Sequence, residues 1–308
     1  MSIRRVFGLL QETVKEWNQD KASRLAAALA YYTMFSLAPL LVIVIAIAGF
    51  FFDQAAVREQ LTQQIQSLVG SDGAAFAQTA LDNANRPGEN TSLIASLISI
   101  VLLLVGATGV FGQLQESLNV VWNVQANPSN AAKGFIRKRL LSFAMLLTIG
   151  FLLMVSLVLS TVLAALSTYL NNLLPGADVL WQLLNIALSL AIITVMFALL
   201  YKYVPDVRID WNDVWIGSFI TALLFTIGKS LLGIYLGNSG FSSTYGAAGS
   251  VIIILAWVYY SAQILFFGAE FTQVYARRYG SRIRPDQHAI PITPQARAQQ
   301  GMPHQEQL

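Results

Sequence analysis

The stretch Leu25-Ala-Ala-Ala-Leu-Ala-Tyr-Tyr-Thr-Met-Phe-Ser-Leu-Ala-Pro-Leu-Leu-Val-Ile-Val-Ile-Ala-Ile-Ala-Gly-Phe-Phe-Phe52 runs 28 residues without a charge. At 1.5 Å of rise per residue, about 20 such residues cross a hydrocarbon core about 30 Å thick. Further apolar segments follow at Leu93–Gly112, Leu140–Leu166, Leu180–Val204, Val214–Leu236 and Ala248–Val274. Apart from Lys202 in the last turn of the fourth segment, only Lys229 and Glu270 are charged within these limits. Continuous apolar runs without period-two alternation select helices over barrel strands. The expected fold is therefore all-α: a polytopic membrane protein with six transmembrane helices in residues 25–275. A cytoplasmic arm, 1–24, precedes them and a basic, then disordered, tail, 276–308, follows.

Charge sets the orientation. Of 19 Lys and Arg residues, 16 fall in the N-terminal arm, the second and fourth gaps and the C-terminal arm. These are cytoplasmic by the positive-inside rule, so both termini are expected inside. The first gap carries Arg58 and Arg86 against five acids, the third carries Asp178 alone and the fifth is uncharged, as outward-facing gaps should be. With 55% hydrophobic and 11% charged residues, the chain lies far from soluble composition. Its basic balance points to membrane lipids with anionic headgroups at the cytoplasmic face as partners, and not to nucleic acid. A homo-oligomer is compatible with this pattern. The absence of cysteine removes disulfides, thiolate nucleophiles and sulfur metal sites. The first 21 residues lack the apolar stretch of a cleaved signal peptide.

Outside the spans, Ile3, Val6, Phe7, Leu10, Val14 and Trp17 recur at helical spacing, giving an amphipathic helix for the membrane interface or for another cytoplasmic loop. In the outer gap 53–90, Val57, Leu61, Ile65 and Leu68 share a helical face. Gly70-Ser-Asp-Gly73 breaks it, and Phe76–Ala84 forms a second short helix, so a helical outer loop is expected. The tail from Pro285 is rich in Pro, Gln and Ala and contains both histidines, His288 and His304.

Several motifs in order resemble the YihY/BrkB family of bacterial inner-membrane proteins. They are Ala26-Ala-Ala-Leu-Ala-Tyr-Tyr-Thr-Met-Phe-Ser-Leu-Ala-Pro-Leu-Leu41, Phe111-Gly-Gln-Leu-Gln-Glu-Ser-Leu-Asn-Val-Val-Trp122, and Tyr203-Val-Pro-Asp206 with Trp211 and Gly217. Ser243-Thr-Tyr-Gly-Ala-Ala-Gly249, Trp257-Val-Tyr-Tyr260 and Gly268-Ala-Glu270 complete the set. The resemblance covers about residues 5–280 and implies a multi-pass inner-membrane protein. It implies no agreed activity: some members carry a virulence or serum-resistance label, and an older label called the family a ribonuclease. The residues oppose that last label, because both histidines fall in the tail and the acids are scattered over both membrane faces. No catalytic, metal or cofactor residues are expected, and the protein is expected not to be an enzyme.

Polar groups at membrane depth are the candidates for function. Pro39 lies midway along the first span, cannot donate to the Phe35 carbonyl and should kink or open the helix beside Tyr32 and Ser36. Lys229 lies about 22 Å along its helix, where an isolated Lys costs about 2.5–3.5 kcal/mol at the centre of the bilayer. It therefore snorkels, pairs or holds an anion, with Asn185 at a compatible depth. Glu116 and Glu270 lie near cytoplasmic helix ends, where they either fix helix docking through ion pairs or bind a cation or proton, with Asn119 and Gln263 in the same seam. The glycines at 237, 240, 246 and 249 suggest a re-entrant outer hairpin, although packing explains them as well. The leading expectation is a transporter or channel-like protein for an anionic or amphiphilic ligand, such as a lipid, with a cavity lined by Tyr32, Ser36, Glu116, Lys229 and Glu270. The competing class is a non-transporting envelope scaffold, and an enzyme for lipid-linked substrates stands third.

Overall fold

A computed structural model of the chain describes residues 3–49, 53–84, 109–127, 178–238, 247–280 and 283–302. Its helices are α1 (Ile3–Gln19), α2 (Ala22–Ala48), α3 (Gln54–Ala84), α4 (109–121), α5 (Asp178–Tyr203), α6 (Trp211–Asn238), α7 (Ala247–Tyr279) and α8 (Pro294–Gln299). The short strands are β1 (Val124–Ala126), β2 (Val207–Arg208), β3 (Arg284–Pro285) and β4 (Ala289–Pro291). Among the described residues, four helices are long and apolar enough to cross a membrane: Ala22–Ala46, Trp181–Tyr203, Trp211–Tyr235 and Ala248–Tyr279. These match four of the six expected spans. The other two, 93–112 and 140–166, lie mostly or wholly outside the described residues, as does most of the glycine hairpin after α6.

Helix α7 is the axis of the bundle, packing against α1, α2, α3 and α6. Its contact with α6 is close because glycine and threonine alternate across it. A Cβ added at Gly217 would collide with Thr272 Oγ1, and one at Gly268 would collide with Thr221 Oγ1. Each threonine hydroxyl donates to a glycine carbonyl of its own helix, Thr221 to Gly217 at 2.7 Å and Thr272 to Gly268 at 2.6 Å. The backbones therefore approach without leaving hydroxyl groups unsatisfied. Tyr201 of α5 closes the same layer, its hydroxyl 2.7 Å from the Leu265 carbonyl oxygen.

Helix α2 continues through Pro39 without interruption. Of the kink or opening expected there, the opening is absent, because losing one donor does not unwind a helix packed against both α3 and α7. Leu37, Leu41, Val42 and Ile45 pack against Ala77, Leu81 and Ile65 of α3. Within α3, Gly70 adopts φ +86°, and Arg58 pairs with Asp82. A straight helix would hold those two about 36 Å apart. The ion pair shows that the two arms fold back on each other at Gly70, a helical hairpin close to the one expected.

Helix α1 lays Leu9 against Phe271 and Val274 of α7 and leaves Val6, Phe7, Leu10 and Val14 exposed. The tail departs from expectation. Residues 283–302 are folded: β3 pairs antiparallel with β2, β4 with β1, and Thr293 caps α8. Composition predicts disorder for a segment this poor in apolar periodicity, but the segment is anchored by single side chains and strand pairs. Ala289, Arg297 and Met302 are buried, and Ile283 packs against the main core.

Candidate functional site

The expected pathway residues fall at separate places among the described residues. Ser36 is buried beside Gly109 of α4, and a Cβ at Gly109 would lie 3.8 Å from its Oγ. Tyr32 is partly exposed next to it and meets Tyr31 edge to face at 6.0 Å. Glu116 is exposed on α4 and Asn185 is exposed on α5. Asn119 is buried and bound to the Asp206 loop, donating to Oδ2 at 2.9 Å and accepting from the Asp206 backbone N–H at 2.8 Å. Gln115 donates to Asp206 Oδ1 at 3.1 Å, so this seam fixes the turn after α5. Gln263 is half-buried, with Oε1 lacking a partner.

Lys229 is half-buried on α6 and has no hydrogen-bond or ion-pair partner among the described residues, Asn185 included. Its neighbour Gly228 packs at the level of Tyr260 and Ile264 of α7. By helical rise, that level is roughly 9–15 Å from Glu270 along α7. The two charges occupy different layers.

Glu270 is fully buried at the end of the bundle where α1, the α1–α2 corner and the C-terminal segment converge. Neither carboxylate oxygen has a hydrogen-bond donor among the described residues. It feels the charges of Asp20 and Glu16, and those of Arg297 and Arg277. Asp20 is turned inward at the corner made by Lys21, which has φ 52°. Its Oδ1 accepts from Arg297 at 2.5 Å, and the two side chains are 0% and 4% exposed. Arg297 also donates to Asn123, which has φ 55° at the end of α4. Left-handed backbone is costly outside glycine and marks positions held by their surroundings. Here Lys21 adjoins one partner of Arg297, Asp20, and Asn123 is the other. Arg277 pairs with Glu12 and, at 2.9 Å, with Glu16, while Arg278 pairs with Glu12.

Burial is the largest effect on Asp20 and raises its carboxyl from 3.8 to about 6. Arg297 opposes the rise and Glu16 adds to it. Among the described residues, no group of three or more His, Cys, Asp and Glu is arranged to hold a metal ion.

Of this cluster, sequence reading singled out only Glu270. Its partners carried a signal nonetheless: Glu12, Glu16 and Asp20 recur at four-residue steps, an acidic stripe on one face of an otherwise basic arm. Nothing local marks Arg297, which lies 277 positions from Asp20.

The profile of the family described as Virulence factor BrkB matches residues 13–293. A UPF0761 membrane protein of Alteromonas mediterranea is 30% identical over 280 residues, covering 88% of this chain and 87% of the relative. Another, of Pseudomonas paraeruginosa, is 29% identical over 260 residues, covering 81% of this chain. A third, of Saccharophagus degradans, is 30% identical over 275 residues, covering 89% of this chain and 60% of its own length. The chain spans 58% of the length of the Pseudomonas relatives it matches. No solved structure matches it. With four membrane-crossing helices among its described residues and a profile match over most of its length, this chain is an integral membrane protein of the virulence factor BrkB family.

Proposed function

We propose that this protein moves an anionic amphiphile, with a lipid as the leading candidate, across or within the bacterial inner membrane. The supporting observation is Lys229, a half-buried cation on a spanning helix without a partner among the described residues. A lone ammonium at that depth is costly, and an anionic headgroup would offset the cost. Ile227, Leu231, Ile234 and Tyr235 are exposed on the far face of α6 from Lys229, an apolar wall suited to acyl chains. In this reading the protein is a carrier or channel and not an enzyme. Both termini face the cytoplasm, in keeping with α1 and the C-terminal segment meeting at one end of the bundle.

The test is redistribution of labelled anionic lipids and lysolipids in liposomes containing the full chain. Wild type should move at least one, and Lys229→Met should slow it at least about tenfold, the loss of about 1.4 kcal/mol of headgroup interaction. Thermal melting should be preserved. A wild-type protein that redistributes no anionic lipid, solute or ion sinks the proposal. The envelope-scaffold reading is favoured by the Asn119–Asp206 seam, which uses conspicuous polar residues purely for packing. It predicts that Lys229→Met changes nothing except folding yield.

A further inference from the structure

Three stripes divide the surface of α1. Leu9, Thr13 and Glu16 are buried, with Leu9 packed on Phe271 and Val274 of α7. Beside this stripe, at about 100° per residue around the helix, come Val6, Phe7, Leu10 and Val14, which are 41%, 61%, 39% and 47% exposed. The third stripe holds Arg4, Gln11, Lys15 and Asn18, all exposed. A helix that packs only on its own protein needs one apolar, buried face and one polar, wet face. Here the buried face includes a threonine and a glutamate, while four large apolar side chains are left uncovered. Contiguous apolar side chains on an exposed face mark contact with a partner or a membrane.

Height identifies the occupant. Across the α6–α7 crossing, Gly217 faces Thr272. Phe271 and Val274, which carry Leu9, lie within about 3 Å of Thr272 along α7, and Trp215 lies about 3 Å from Gly217 along α6. Leu9 is therefore level with Trp215. That tryptophan is exposed and stacks on Trp211 at 5.9 Å, and Trp211 meets Tyr203 at 6.1 Å. The Lys202 ammonium lies 5.5 Å from the centre of the Trp211 ring. Exposed Trp and Tyr where one spanning helix ends and the next begins mark the headgroup level of a membrane. Gly8 and Glu16, about 12 Å apart along α1, meet the adjacent residues Arg278 and Arg277. Helix α1 thus crosses α7, and a helix laid across a spanning helix runs along the membrane plane.

Charge narrows the choice further. The acids of this arm are turned inward: Glu12 and Glu16 pair with Arg277, Glu12 also with Arg278, and Asp20 with Arg297. The exposed charges of α1 are Arg4, Arg5 and Lys15, all positive. An apolar stripe flanked by cations is the pattern that anionic lipid recognises, with acyl chains below and phosphate beside. A protein partner would need an acidic surface at headgroup height, where the bilayer itself lies.

We propose that α1 rests on the membrane surface marked by Tyr203, Trp211 and Trp215 as an anionic-lipid-binding helix. Val6, Phe7, Leu10 and Val14 reach toward the acyl boundary, and Arg4, Arg5 and Lys15 meet headgroup phosphates. The ion pairs of Glu12 and Glu16 with α7 hold the helix in this attitude, so lipid meets a preset face and not a loose arm. The proposal goes beyond the lipid-moving role suggested for Lys229 and does not depend on it.

The chain has no cysteine, so single labels are unambiguous. Full-length Phe7→Cys, Val14→Cys and Gln11→Cys, each carrying a bimane, are placed in vesicles of phosphatidylcholine and phosphatidylglycerol. Quenchers are bromine high on the acyl chains of one lipid or the other, and acrylamide in the water. Labels at positions 7 and 14 should be quenched by bromolipid and shielded from acrylamide, and the label at 11 should show the reverse. Brominated phosphatidylglycerol should quench positions 7 and 14 about fivefold more effectively than brominated phosphatidylcholine, the contribution of one Lys or Arg near an anionic surface. That preference should vanish in Arg4→Gln/Arg5→Gln/Lys15→Gln, and in high salt with the basic residues unsubstituted. Acrylamide quenching at 7 and 14 equal to that at 11 overturns the proposal. Shielding from both quenchers overturns it in favour of a protein, such as a second copy of this chain, covering the face. Bromolipid quenching without preference for phosphatidylglycerol overturns the recognition of anionic lipid. The two label positions and the salt arm decide these points should the triple variant misfold.

Discussion

Replacing Arg297 by methionine keeps the length and apolar stem of the side chain and removes its charge. Asp20 Oδ1 then loses the donor it has at 2.5 Å, Asn123 loses its guanidinium partner, and Asp20 is 0% exposed. Breaking a buried ion pair by removing one partner costs about 3–5 kcal/mol. Against this stand the contacts that hold residues 283–302: two short strand pairs, the Asn127 N–H to His288 carbonyl bond at 2.9 Å and the Ile292 N–H to Asn123 carbonyl bond at 3.0 Å. Each hydrogen bond contributes about 1 kcal/mol net. The penalty is comparable with those hydrogen bonds together, so the segment is expected to lift more often and let water reach Asp20. Proteinase K cleavage within residues 286–296 reads the lifted population when reclosing outpaces cutting. A loss of 3 kcal/mol corresponds to a rate increase of roughly a hundredfold. The double variant Asp20→Asn, Arg297→Met buries no charge at that point and should return to within about tenfold of wild type. If the single variant is cut within about threefold of the wild-type rate, a loss under 1 kcal/mol, the buried-pair reasoning is refuted.

The acidic corner should also respond to pH. Because folding raises Asp20 from 3.8 to about 6, the folded chain binds the proton more tightly than the unfolded one. The resulting stabilisation is complete below pH 3.8 and lost as pH rises to about 6, amounting to about 3 kcal/mol. Melting temperature in detergent should fall across that window, and Asp20→Asn should flatten the fall. At the α6–α7 crossing, Gly268→Ala drives a methyl group into Thr221 and Tyr201 and should cost about 1–3 kcal/mol in thermal unfolding. Gly112→Ala meets nothing within 4 Å and should be neutral or stabilising. Gly70→Ala also meets no neighbour, so its effect isolates the φ +86° backbone: about 1–2 kcal/mol, read as loosening of the α3 hairpin in hydrogen exchange. Arg58→Ala, which removes an exposed partner of Asp82, should change melting by less than about 1 kcal/mol.

What could be read from the sequence followed the range of the forces involved. Hydropathy over 20 residues is a sum of many like contributions, and the expected span Leu180–Val204 meets Trp181–Tyr203 within a residue at each end. The α3 hairpin was similarly local, since Gly70 sits between two amphipathic runs. Glu270 stood out because charge is rare at that depth, but its environment was hidden. Its neighbours come from α1 and from a segment whose composition reads as disorder, brought in by strands only two or three residues long. At Pro39 the sequence allows a kink or an opening, and the opening is absent: a proline removes one hydrogen bond from the span, while the packing of α3 against α2 keeps the helix continuous.

The pairing of Asp20 with Arg297 also sets a clock. The two residues are 277 positions apart. At about 5–20 residues per second, the guanidinium is made roughly 15–55 s after the carboxylate it will meet. Throughout that interval α2 can enter the bilayer while α1 stays outside it, and both find α7 only as α7 itself emerges. The corner between them must stay wet, or take up a proton, until the C-terminal segment arrives. Apolar helices therefore partition early in the biogenesis of this protein, and the buried corner closes only once Arg297 has been made.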